Sequence, residues 1–147
     1  MPNLFTRRIA AALAIAAFTA SCAMMQPSHI VSLGGKLSGS SEVPPAATDG
    51  SGAVEATFNK ETNLLKWKVT HSGLSGPARA AHFHGPATVA QAVGVVLGFK
   101  SADSPIEGEA TLTPAQAADL LAGKWYVNVH TAKYPGGEIR AQVMPSN

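Results

Sequence analysis

Apolar and polar residues alternate along most of this chain with a period of two. In "GAVEATFN", Val54, Ala56 and Phe58 alternate with polar partners, which is the pattern of a half-buried strand. The turn-forming "KETN" follows, and "LLKWKVTHSGL" then alternates again. Leu65, Trp67, Val69 and His71 share one parity, while Lys66, Lys68 and Thr70 share the other. These two runs predict a hairpin. Further strands are expected at "VSLGG", over Arg79–Gly85, in "ADSPIEGEATL" after its turn, and in "KWYVNVHT" and "EIRAQVM". The β-branched run "AVGVVLGFK" reads as a buried strand.

The period changes once. In "TPAQAADLLAG", Thr113 is placed to cap a helix, Pro114 to open it, Gln116 to complete a capping box and Gly123 to stop it. Ala117, Leu120 and Leu121 give this helix, about 114–122, one apolar face. Long turn-forming stretches such as "LSGSSEVPPAATDGSG" read as loops. About seven to eight short strands and one small helix predict a single all-β domain over residues 31–145, a Greek-key β-sandwich or barrel.

The N-terminus departs from this pattern. Two arginines precede "IAAALAIAAFTA", and "SCAMM" follows. A basic start, a short apolar run and small residues predict a secretory signal peptide over residues 1–23, with a tether over 24–30. The apolar run is about a dozen residues, short of the roughly 20 needed to span a bilayer. "TASC" resembles a lipobox with Thr19 where leucine is usual, giving cleavage before Cys22 and lipidation of that cysteine. The competing cut falls after Ala23, giving a soluble secreted form. The chain is therefore expected in the periplasm, on the outer envelope or outside the cell, touching a membrane only through a lipid anchor.

Export changes the charge and redox picture. The formal net charge is +2, but removal of Arg7 and Arg8 leaves nine basic and nine acidic side chains. With no basic patch, the chain lacks the electrostatic footprint of a nucleic-acid binder. Cys22 is the one cysteine, so no internal disulfide forms and the fold depends on its hydrophobic core.

The candidate chemistry lies in five histidines. Residues i and i+2 of a strand project from the same face, so His82 and His84 stand side by side while Ala81 and Phe83 face the core. In "WYVNVHT", Trp125, Val127 and Val129 share the apolar parity, and Tyr126, Asn128 and His130 the opposite one. Three imidazoles on outward faces predict an open metal site of His82, His84 and His130, suited to copper first and zinc second. His71 is a further candidate ligand, although its parity also fits a histidine closing the end of the core. His29 lies in the tether and is left out. Surface hydrogen bonding is the alternative reading of all three outward histidines.

Several motifs occur together with matching spacing: "EVPP", "SGLSG", "AAHFHGPA", "LLAGKWYVNVHT" and "YPGGEIRAQV". In this order they resemble the CHRD domain, the module named from chordin and common in exported bacterial proteins. The likeness covers roughly Val31 to Met144, with Ala141 standing where glycine is more usual. It implies an extracellular-type β-domain that serves, in chordin, as an interaction or structural unit. A metal-free cell-envelope interaction module is therefore the competing function.

A second, local likeness concerns the chemistry. "GLSGPARAAHFHGPA", and "YVNVHT" followed by "PGGEIR", resemble the copper-binding segments of Cu/Zn superoxide dismutase. That likeness implies His82, His84 and His130 as copper ligands. It also implies that Arg140 guides a small anion such as superoxide, in a copper-only enzyme or a copper-handling protein. A zinc site does not carry over, because no long histidine- and aspartate-rich loop is present. The simpler alternative has Arg140 pairing with Glu138 or another carboxylate.

Overall fold

The computed structural model describes residues 29–146. The expected signal peptide, its cleavage sites, Cys22 and most of the tether lie outside the described residues. The elements in order are β1 (Ile30–Ser38), a 3-10 turn (Gly39–Ser41), β2 (Ser51–Asn59), β3 (Leu64–Ser72), β4 (Ala78–His84) and β5 (Val95–Gly98). They continue with β6 (Ile106–Thr111), α1 (Pro114–Leu121), β7 (Trp125–Thr131) and β8 (Ile139–Pro145).

All eight strands form one antiparallel sheet in the order β5-β4-β7-β8-β1-β2-β3-β6. The sheet curls into a half-barrel, as ring contacts across it show. β3 and β4 are each second from opposite edges, yet Trp67 meets Phe83 edge-on at 5.4 Å and stacks on Phe99 at 5.2 Å. A flat sheet would hold these rings several strand spacings apart. One curled sheet thus takes the place of two packed ones.

The concave side holds the apolar parities: Leu33 and Leu37, Val54 and Phe58, Leu65 and Val69, Phe83, Val127 and Val129, and Ile139 and Val143. The β2–β3 hairpin pairs Ser51 with Ser72 through Asn59 with Leu64, and Asn63 adopts φ 55° in its turn. Such a left-handed position suits asparagine. At α1 the Thr113 hydroxyl accepts from the Gln116 amide, and the Gln116 side chain accepts from the Thr113 amide. This is the expected capping box.

One strand differs from expectation. "AVGVVLGFK" contributes only Val95–Gly98, at the sheet edge, and Val95 is 54 % exposed. An edge strand has a neighbour on one side only, so its apolar residues are not all covered. The run before it, 85–94, becomes a loop laid over the convex face.

Most of β7 and the first residues of β8, Ile139 to Ala141, are buried on both faces. Behind the apolar core, Tyr126, Asn128, Glu138 and Arg140 form a buried polar layer on the convex side. Loop 85–94 covers part of it. Gln142 Nε2 donates to Ala87 O at 2.9 Å, and Arg140 donates to Gln91 O at 2.8 Å and Thr88 O at 3.2 Å.

Candidate metal centre

His82, His84 and His130 come together on this convex face. His82 lies opposite Asn128 in the β4–β7 ladder, which makes His130 its diagonal neighbour, within reach for long side chains. The residue directly opposite His130 is Ala80, whose small side chain leaves room for the imidazole to lean toward His82. One ligand atom from each histidine lies within 4.8 Å of the other two. The closest pair, His82 Nδ1 and His130 Nε2, is 3.2 Å apart. Two nitrogens bound to one ion at about 2.0–2.1 Å stand roughly 2.9–3.4 Å apart for square to tetrahedral angles, so this pair already has a ligand spacing.

The tautomers follow from the acceptors. His84 Nδ1 meets Val93 O at 2.8 Å, and His130 Nδ1 meets Pro135 O at 3.0 Å. A carbonyl only accepts, so both Nδ1 atoms carry the proton and both Nε2 atoms present a lone pair. His84 Nε2 is buried and has no hydrogen-bond partner among the described residues. Backbone carbonyls holding the far nitrogen are the usual outer support of a metal-binding histidine.

Their surroundings disfavour the protonated form of His82 and His130. Burial lowers the pKa of His82, and the neighbouring His130 and His84 lower it further. Burial also lowers that of His130; the Pro135 carbonyl opposes this and His84 adds to it. Neutral imidazole is the form that binds a metal, so the lowered pKa values of His82 and His130 keep these two rings in the ligand form further below the ordinary range of histidine. The cluster contains no carboxylate.

His71 is not brought to this cluster. It lies on β3, and its Nε2 is 2.7 Å from Ala102 O, in keeping with a histidine at the end of the core. Arg140 is near the cluster but is not open to solvent. It is 2 % exposed, its Cζ is 3.4 Å from the Tyr126 ring centre, and two of its nitrogens donate to loop carbonyls. β7 separates β8 from β4, so the Tyr126 ring stands between Arg140 and His84. Nor does Arg140 pair with Glu138; the carboxylate acting on it is that of Glu42.

Glu42 and Gln142 carry parts of the polar layer that the sequence did not mark, and Glu138, expected as a partner of Arg140, is bound by other donors instead. Glu138 accepts from Thr48 Oγ1 at 2.6 Å, from Ser75 N and Oγ at 2.7 Å each, and from Thr131 Oγ1 at 2.5 Å. Burial pushes its pKa up, but these donors outweigh it and hold the carboxyl at about 2. Glu42 lies against Asn128 and Gly137. Its pKa is raised to about 7 by burial, against the pull of Arg140 and the Asn128 amide. The β8 alternation of Glu138, Arg140 and Gln142 with Ile139, Ala141 and Val143 was the available signal. It gave the face and could not show that loops would bury it.

No curated protein and no solved structure matches the chain significantly. The family model of the CHRD domain matches residues 33–143, nearly all of the described residues. By its motifs, its curled antiparallel sheet and this match, the chain belongs to the CHRD domain family.

Proposed function

We propose that this protein binds a transition metal through His82, His84 and His130, with copper the favoured ion and zinc second. One observation carries the reading. Two of the three imidazoles are held at Nδ1 by backbone carbonyls, which leaves their Nε2 atoms as the lone-pair ends, that of His130 3.2 Å from His82 Nδ1, in a cluster whose ligand atoms lie within 4.8 Å of one another. Imidazole nitrogens suit copper and zinc, and Cu(II) binds most tightly among the divalent ions of the series. Three protein ligands leave coordination positions for water or a small anion. The role is copper handling, or dismutation of superoxide to dioxygen and hydrogen peroxide with uptake of two protons. Arg140 has no part in this proposal as an anion guide, because its donors are engaged away from the imidazoles. The leader over residues 1–23 would export the domain to the envelope or beyond, with or without acylation of Cys22.

Metal analysis of the reconstituted protein tests this directly. The expected result is one copper per chain, lost in the His82→Ala/His84→Ala variant. Substoichiometric copper and zinc, unchanged by that variant, would contradict it and leave a metal-free envelope module. A superoxide assay on the copper-loaded protein then separates enzyme from carrier.

A further inference from the structure

His84 is the buried member of the three histidines, and two contacts fix its ring. The first is the hydrogen bond from Nδ1 to Val93 O at 2.8 Å. The second is Tyr126, whose ring lies parallel to the imidazole, with an interplanar angle of 1° and centroids 4.7 Å apart. A hydrogen bond at one ring nitrogen sets the direction of the opposite lone pair, and a flat neighbour stops the ring from swinging about that axis.

Tyr126 acts on the first contact as well. Its hydroxyl accepts from Val93 N at 3.2 Å and donates to Val93 O at 3.3 Å. The carbonyl that holds His84 is therefore itself held by Tyr126. On the other face of the Tyr126 ring lies the Arg140 guanidinium, a favourable placement of a cation on an aromatic face. The same guanidinium ties down Thr88 and Gln91 in the loop that carries Val93.

Resting on the metal reading above, we propose that Tyr126 is the positioning residue of the metal centre. Its ring and hydroxyl together aim His84 Nε2 at the ion, and Arg140 braces it from behind. The loss of outer supports of this kind lowers metal affinity by roughly 10–100-fold.

The test titrates Cu(II) into the full chain against a competing chromophoric chelator and records the electron paramagnetic resonance spectrum of the bound ion. Tyr126→Leu removes both ring face and hydroxyl; its affinity is expected to fall by about 10–100-fold, with altered copper g and hyperfine values. Tyr126→Phe keeps the face and loses the clamp on Val93; a fall of roughly 5-fold is expected, with a spectrum closer to wild type. Tyr126→Phe retains the aromatic bulk and carries the test by itself if Tyr126→Leu does not fold. Lower thermal stability with unchanged affinity and spectrum would overturn the positioning role while leaving the metal site intact. Wild-type protein that binds no Cu(II) would overturn the metal reading and this inference with it.

Discussion

Glu42 and Glu138 are both buried acidic side chains on the convex side of the sheet, and their surroundings drive their acidities apart. Glu138 is held at about 2 because hydroxyl and amide donors outweigh its burial. Its depressed pKa contributes stability that is present above about pH 4.5 and lost as pH falls toward 2. Glu138→Gln is therefore expected to lower the unfolding free energy at pH 7 by roughly 2–3 kcal/mol. The gap from wild type should narrow below pH 4, as urea unfolding at several pH values would measure. Glu42 runs the other way, since burial raises it to about 7. The folded chain keeps a proton that the unfolded chain releases, so this contribution is lost as pH rises from about 4.5 to 7. Glu42→Gln should flatten the stability profile between about pH 4.5 and 7; a profile as steep as wild type would contradict this. The outward parity of His82, His84 and His130 was legible because each sits in a clean alternation. Glu42 was not, because "EVPP" specifies a loop and says nothing of what the loop covers.

Elements with strong local signals formed where the pattern placed them. The β2–β3 hairpin and α1 have their periodicity, turn and caps in adjacent residues, so tertiary contacts had little to override. The capping box at α1 makes a specific prediction: Thr113→Ala should cost about 1 kcal/mol, read as a shift in denaturation midpoint without a change in copper binding. An unchanged midpoint would mean the cap does not stabilise the helix in this context. "AVGVVLGFK" shows the limit. A β-branched run signals a strand, but its place in the sheet depends on pairing with β4 and on the absence of a further neighbour. The loop 85–94 was equally hidden, because its hold on the convex face comes from Arg140, Gln142 and Tyr126, remote in sequence.

At the scale of the whole molecule, one sheet separates two interiors. The concave side packs aliphatic and aromatic side chains, and the convex side of β4, β7 and β8 holds a polar layer roofed by loops. The three histidines sit at the margin of that layer, where two of the imidazoles remain half-buried and the third is covered. The all-β class and its single helix were legible from periodicity, and the three-histidine set from parity. The choice between a sandwich and one curled, barrel-like sheet was not, since it is a property of strand order that no local window contains. Long-range 1H–15N spectra of the histidine rings, recorded before and after one equivalent of diamagnetic Zn(II), test the centre most directly. The account predicts metal-shifted Nε2 with protonated Nδ1 for His84 and His130, metal-shifted Nδ1 for His82, and no change at His71. Ring nitrogens of all three that do not respond to Zn(II) would contradict it.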